Sequence, residues 1–115
     1  MGTLNQDARR STRLPLHIPI IVTALASAPN SPRECRTVFV NAHGCAIIVT
    51  EQIISETRVM LKLVSNGSNK EGRVVLAIAL PENSSWLLGV EFDSPGNFWE
   101  VDNPPADWGD VSNVR

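Results

Sequence analysis

The sequence has few cysteines and no long apolar run. Only two of its 115 residues are cysteine, too few for a disulfide scaffold or a four-cysteine zinc site. The apolar runs fall far short of the ~20 residues that a membrane-spanning helix needs. A secretory signal has an apolar stretch after its charged start, and residues 1–13 are not followed by one. We therefore expect a soluble, cytoplasmic, single-domain protein without membrane insertion.

Motifs of common enzymes are also missing. There is no phosphate-binding glycine loop and no nucleophile elbow. Neither His17 nor His43 has a second histidine at metal-ligand spacing. His43 and Cys45 lie two residues apart at a tight turn, where side chains rarely point at one substrate. The sequence therefore predicts a protein that is not an enzyme and that has no catalytic residues, no metal and no cofactor.

The charge is nearly balanced in total and uneven along the chain. A net charge of -2 disfavours indiscriminate binding to DNA. Residues 1–36 hold five arginines against two acids, whereas residues 82–110 hold seven acids, Glu91 among them, and no Lys or Arg. Two interpretations stay open at this point: solvated surface at both ends, or an anion site near the N-terminus.

Short β-branched runs separated by turn residues predict strands throughout the chain. Asn41 to Gly44 is a tight-turn signature, residues 65–72 read as a flexible loop, and a helical turn is expected over residues 97–101. This pattern favours an antiparallel barrel or sandwich. The six predicted strands are residues 18–23, 34–41, 45–50, 57–64, 73–80 and 85–92.

The hairpin between the second and third strands allows a detailed prediction. With Asn41 paired to Gly44, Cys45 faces Val40 and Cys35 faces Thr50. The two thiols then lie roughly 16 Å apart on opposite faces, too far for a disulfide, and Cys45 is a small core residue. Alternation predicts a core face of Val38, Val40, Cys45 and Ile47, and an outer face of Phe39, Asn41, Ala46 and Ile48.

The segment from Arg9 to Arg13 carries most of the chemistry, with Arg9, Arg10 and Arg13 in five residues. Planar guanidinium groups suit phosphates and the edge of guanine. In an extended chain Arg9 and Arg13 point to the same side, ~13 Å apart, and are able to grip two ends of an anionic ligand. A disordered basic tail is the alternative.

These elements resemble the PilZ family. An Arg-x-x-x-Arg motif (Arg9 and Arg13), a hairpin with a motif glycine, and a late Leu88-Gly89-Val90-Glu91-Phe92 strand are similar to those of PilZ domains. The ending from Asn97 to Trp108 is similar to a divergent branch of that family. The resemblance implies an all-β, six-stranded antiparallel barrel that binds the bacterial second messenger cyclic di-GMP. It also implies a flexible arm (residues 1–13), a barrel (14–103) and a C-terminal tail (104–115).

The hairpin departs from the family pattern Asp/Asn-x-Ser-x-x-Gly, and two registers are open. In the first, Asn41 takes the Asp/Asn place, His43 replaces Ser and Ala46 replaces Gly. In the second, which we prefer because it keeps the glycine at the turn, Gly44 is the motif glycine and Asn41 replaces Ser. Phe39 then replaces the acid, and either stacks on a base or packs under the C-terminal tail.

The resemblance implies a receptor whose arm folds over cyclic di-GMP and presents a surface to an unidentified protein partner. The implied ligand-binding residues are Arg9, Arg10, Arg13, Phe39, Asn41, His43 and Gly44. The alternative is a degenerate PilZ module that has lost the nucleotide and acts as a protein-interaction adaptor. Phe39, Ile48, Trp99 and Trp108 favour that alternative as apolar anchors, unless the aromatic residues close one side of the barrel. Whether the protein forms a homodimer is a further alternative that the sequence leaves open.

Overall fold

The chain forms a closed antiparallel β-barrel of six strands. In the computed structural model, residues 11–25 and 32–108 are described. Across these ranges no helix has the length and apolar character that crossing a bilayer requires. The strands are β1 (Pro19–Ala24), β2 (Arg33–Asn41), β3 (Gly44–Val49), β4 (Arg58–Leu63), β5 (Asn69–Leu80) and β6 (Ser85–Phe92).

The strands close in the order β1-β2-β3-β6-β5-β4, with β1 paired to both β2 and β4. The predicted fold class is confirmed, and five strands lie within a residue or so of their predicted bounds. The prediction for β5 was wrong at its start, because residues 69–72 belong to the strand and not to the preceding loop. They pair with β4 across a short hairpin loop, as in Lys62↔Asn69 and Val59↔Gly72, and their polar composition conceals this pairing.

Alternation along each strand directs one set of side chains into the barrel. In β4, Val59, Leu61 and Leu63 are buried, while Lys62 is exposed. Each such aliphatic side chain contributes roughly 1.5–3 kcal/mol by leaving water. The core also includes Ile20, Val22, Val40, Cys45, Ile47, Val74, Leu88 and Val90.

The second strand contains a bulge that the sequence did not predict. Pairing follows the predicted register from Asn41↔Gly44 to Phe39↔Ala46, and then shifts so that Thr37 lies opposite Ile47. Val38 is therefore the extra residue of a β-bulge, and its predicted place on the core face was wrong. Thr37 takes the interior position, where its hydroxyl donates to Leu16 O and accepts from the backbone N–H of Ile18 at 2.8 Å.

The bulge also changes the placement of the cysteines. Cys35 pairs with Ile20 of β1 rather than with Thr50, and it packs against the core, so the prediction of opposite faces was wrong. The prediction of two free thiols is confirmed, and Cys45 is a buried core residue. Burial and the neighbouring Glu34 raise the pKa of Cys35 to about 11, and burial raises that of Cys45 as well.

Both cysteines should therefore react slowly in the folded protein. Thiolate is the reactive form, so we expect iodoacetamide at pH 8 to label the native chain at least ~10-fold more slowly than the chain unfolded in urea. Mass spectrometry of quenched samples measures both rates at each cysteine. Equal rates in the two states would contradict the burial of these thiols.

Aromatic residues of the C-terminal segment close one side of the barrel. Phe98 and Trp99 pack edge-to-face at 5.1 Å, and both contact the Phe92 ring at the end of β6. Trp108 is 1% exposed and belongs to the core. Where a helical turn was expected over residues 97–101, a single hydrogen-bonded turn forms, in which the carbonyl of Asn97 accepts from the N–H of Glu100 at 3.1 Å. Residues 106–108 are helical. Trp99 and Trp108 are thus internal, which removes them as anchors for a partner.

Candidate functional site

A cavity of about 560 Å³ lies on the outer surface of β2, β3, β6 and β5. One row of paired residues crosses the four strands at this point, in the order Phe39, Ala46, Gly89 and Leu76. The two middle positions carry little or no side chain, whereas the two outer positions carry large ones. The cavity therefore has a shallow floor at Ala46 and Gly89 with an apolar wall at each side.

The next row, Asn41, Gly44, Glu91 and Arg73, supplies a polar end. Asn41, Gly44 and Glu91 line the cavity. At Gly44 a Cβ atom would lie 1.8 Å from the carbonyl oxygen of Val90, so only glycine permits this close approach of β3 to β6. The turn residue predicted from the motif is therefore also the residue that lets the floor close.

Arg13 lies on the Phe39 wall. Its guanidinium carbon is 4.5 Å from the centroid of the Phe39 ring, a cation–π contact. Leu14 fixes this placement because it forms a two-way backbone bridge with Val40, with N···O distances of 2.8 and 2.9 Å. Of the two interpretations of Phe39, packing under the C-terminal tail is replaced by packing under Arg13, and the ring lines the cavity.

Ser11 connects the start of the described chain to the hairpin turn. Its side chain is buried, and its hydroxyl accepts the backbone N–H of Ala42 at 3.1 Å. The same oxygen lies 3.1 Å from Nδ1 of His43, a residue that lines the cavity. Ser11 thereby holds residues 11–13 against the turn that carries part of the site.

Thr12 is held from the other side by the C-terminal segment. Its backbone N–H and its hydroxyl both donate to Oδ2 of Asp107, at 2.8 and 2.9 Å. Its carbonyl accepts the indole N–H of Trp108 at 2.8 Å. Three hydrogen bonds therefore hold Thr12, the residue that precedes Arg13, against the C-terminal segment.

Asn41 is chiefly a turn residue. Its Oδ1 accepts the backbone N–H of His43 at 2.9 Å, the short-range bond typical of Asn at tight turns. Its carbonyl accepts the indole N–H of Trp99 at 3.0 Å. This side chain shapes the polar end of the cavity by fixing the turn.

Ion pairs surround the polar end of the cavity. Arg73 pairs with Glu91 at 3.3 Å and with Glu56 at 2.7 Å, and both partners raise its pKa. Farther along the barrel, Arg58 pairs with Glu71 and Asp93 and holds the pKa of Asp93 below its usual range. Several acidic side chains of residues 82–110 thus pair with groups of the same chain. Over the described parts of the chain, no three His, Cys, Asp or Glu side chains are grouped to hold a metal.

The structure brings together five of the seven predicted site residues, Arg13, Phe39, Asn41, His43 and Gly44. Arg9 and Arg10 lie outside the described residues. Sequence reasoning missed the half of the cavity that comes from β5 and β6. The signal available for it was the pair of small residues, Ala46 and Gly89, which correct strand pairing would have placed side by side. The missed lining residues are Cys45, Ala46, Val75, Leu76, Leu87, Gly89, Val90 and Glu91.

Comparison with known proteins rests on structure alone. No family model and no curated protein matches the sequence. The PilZ domain of CeSA from a cellulose-synthesizing bacterium is similar, with a TM-score of 0.51 and 21% identity over 73% of this chain and 84% of that one.

Two larger proteins are similar as well. The inhibitor of motility MotI/DgrA of Bacillus subtilis has a TM-score of 0.56 and 12% identity, over 90% of this chain and 47% of its own. MrkH of K. pneumonia, solved as a complex with c-di-GMP, has a TM-score of 0.54 and 14% identity, over 92% and 50%. This chain spans about half the length of each of these two proteins. The barrel, its strand order and these likenesses together identify the fold as that of a PilZ-like domain.

Proposed function

We propose that this protein is a cytoplasmic bacterial receptor that binds cyclic di-GMP in the cavity and relays the signal through a protein interface. The observation that carries the proposal is Arg13, stacked on Phe39 at the wall of a cavity on the barrel surface. A guanidinium supplies the charge and donors for a phosphate, and an aromatic wall supplies a face for a base. A solved structure of similar fold is a complex with c-di-GMP.

Arg9 and Arg10 complete the proposed site. Arg9 precedes Ser11 by two residues, a distance of at most ~7 Å along the chain. The hydroxyl of Ser11 lies 3.1 Å from Nδ1 of His43, which lines the cavity. The side chains of Arg9 and Arg10 therefore have the reach to join Arg13 around one dinucleotide. In this proposal the segment 1–13 is the ligand-binding arm, and its contacts at Thr12 link it to the tail.

Calorimetric titration with cyclic di-GMP tests the proposal. We expect saturable heat from the wild-type chain and an affinity lower by ~10–100-fold for Arg13→Ala, since a charge-assisted bond to phosphate is lost. Arg36→Ala is the matched control, because Arg36 is exposed on β2 outside the cavity. Equal affinities for Arg13→Ala and the wild type would refute the placement of the ligand.

The second candidate is an adaptor without nucleotide. Exposed apolar side chains on β5 and β3 favour it, namely Val75, Leu76, Ile78 and Ile48. Val75 and Leu76 also line the cavity. In the proposed receptor, the same surface is therefore the interface that contacts the protein partner. No heat from the wild-type chain at tens of micromolar would exclude the receptor and leave the adaptor.

A further inference from the structure

The second half of β5 forms an open edge of the sheet. On one side β5 pairs with β6 as far as Leu80. On the other side its pairing with β4 ends at Arg73, and the loop before β4 adds two backbone bonds at Val74, of 2.6 and 2.9 Å. Within the described ranges, no strand pairs with residues 75–80 on the side away from β6. Every second residue of this edge therefore presents its N–H and C=O to a side without a neighbouring strand.

The side chains along this edge are apolar and accessible. Residues 75–80 contain no charged residue and no proline, and Val75, Leu76 and Ile78 are 42%, 46% and 44% exposed. Ile54, in the loop that bonds to β5 just before the edge, is 64% exposed. An exposed apolar edge without lysine or proline is a template for pairing with another chain.

The edge is suited to a second copy of itself. Two identical strands related by a twofold axis perpendicular to the sheet run antiparallel, so one closed dimer uses both edges. Because residues 75–80 are uncharged, no like charges face each other along the pair. Arg73 precedes the edge and the exposed Glu82 follows it. Antiparallel pairing therefore keeps the two Glu82 side chains at opposite ends, each at the Arg73 end of the other copy.

The accessible area of the edge corresponds to a weak dimer. Residues 75–80 and Ile54 expose on the order of 450 Å² in each copy, so two copies cover at most roughly 900 Å². Stable interfaces begin at about 1,200 Å², and the smallest specific ones cover about 1,000 Å². The dimer should therefore be reversible and form as the concentration rises.

We infer that β5 of one copy pairs antiparallel with β5 of a second copy over residues 75–80 and joins two barrels about a twofold axis. With the axis at Ala77, Leu76 of one copy lies beside Ile78 of the other on the outer face. The inference goes beyond the proposed function, because the pairing requires no nucleotide. It occupies the edge of β5 and leaves the outer face of the sheet open, where the cavity lies.

Analytical ultracentrifugation of the full chain tests the inference. Between about 1 and 500 µM, we expect the mass to rise from one chain toward two, with a Kd of roughly 10–100 µM for so small an interface. Ile78→Lys should weaken the association by at least ~10-fold, because a charge on an edge strand opposes pairing. Ile78 is 44% exposed, so a lysine at this position does not disturb the core.

Ile48→Lys is the matched control. Ile48 is 40% exposed and belongs to the same cross-strand row, Ile48, Leu87 and Ile78, but it lies on β3, on the far side of β6 from the edge. This substitution should leave the association unchanged. Equal weakening by the two lysines would mean that the copies pack through their outer faces, which overturns the pairing of edges.

Hydrogen exchange gives a readout that needs no substitution. Strand pairing protects backbone amides, so the amides of residues 75–80 should exchange about 3-fold or more slowly at the highest concentration than at the lowest. The amides of Val59 and Leu61 in β4, which are already paired within the barrel, should exchange alike at both. A dimer without protection of residues 75–80 would overturn the inference. A chain that stays monomeric at every concentration would overturn it too, and the proposed function would stand, since nucleotide titration tests it separately.

Discussion

Gly44→Ala is expected to lower the free energy of unfolding by about 3 kcal/mol. The added Cβ would lie 1.8 Å from the carbonyl oxygen of Val90 and 2.9 Å from the carbonyl carbon. Both contacts are to backbone, so no side-chain rotation relieves them. The β3–β6 pair must move apart at Gly44↔Glu91, where the barrel closes across the hairpin. Urea unfolding followed by circular dichroism measures the change, and we expect a melting temperature lower by ~10–15 °C.

Gly96→Ala is the matched control for this prediction. Gly96 has a φ of +157°, nearly the same as the +158° of Gly44, but a Cβ at this position meets nothing within 4 Å. The two glycines thus share this φ, and the two substitutions differ in the clash. We expect Gly96→Ala to cost on the order of 1 kcal/mol from backbone strain alone, clearly less than Gly44→Ala. Equal losses at the two glycines would show that the approach of β3 to β6 is not what requires glycine.

Trp108→Ala is expected to cost ~3–5 kcal/mol, because it empties a large buried volume. The Trp108 side chain is 1% exposed and packs in the core, and its indole N–H binds Thr12 O at 2.8 Å. Chemical unfolding of the purified chain measures the loss. Trp86→Ala serves as the matched control, since Trp86 lies on β6 and is only partly buried. A loss at Trp108 no greater than at Trp86 would contradict a structural role of the C-terminal segment.

The conservative Trp108→Phe substitution separates packing from the hydrogen bond to Thr12. It keeps most of the ring contacts and removes the indole N–H donor, so the stability loss should be only ~1 kcal/mol. Because Thr12 precedes Arg13, the proposed function also predicts weaker binding of cyclic di-GMP by this variant, by about 3-fold or more. Unchanged affinity would show that the C-terminal segment does not position Arg13.

Much of the site was predictable from local signals. The turn from Asn41 to Gly44 and its register followed from turn chemistry and alternation, and pairing confirms Asn41↔Gly44 and Val40↔Cys45. The Arg13 guanidinium was singled out by residue type and spacing and the Phe39 ring by the resemblance of the hairpin to the PilZ motif, and they meet at the cavity wall. The β5–β6 half was not predicted, since Glu91 comes 47 positions after Gly44 in the chain and reaches it only by strand pairing.

The bulge at Val38 shows why the predicted facing of side chains fails in the first half of β2. One extra residue reverses the facing of every residue before it in the strand, so Cys35 turns inward and Thr37 becomes buried. No local pattern marks the insertion, because its stabilisation comes from bonds of Thr37 to the chain near Leu16 and Ile18. Residues 69–72 were missed for a different reason, because they pair with β4 across a short hairpin loop but have the polar composition of a loop.

The sequence by itself determined the fold class, the positions of five strands, the register next to the hairpin turn and the charged and aromatic residues of one cavity wall. These depend on alternation and turn chemistry, which act over a few neighbouring residues. Only the tertiary structure decided which residues meet across the barrel. It placed Ala46 beside Gly89 to form the floor and Glu91 beside Gly44 at the polar end. It also turned Asp107 and Trp108 of the acidic C-terminal part into internal partners of Thr12, because hydrogen bonds between distant segments depend on the closed fold.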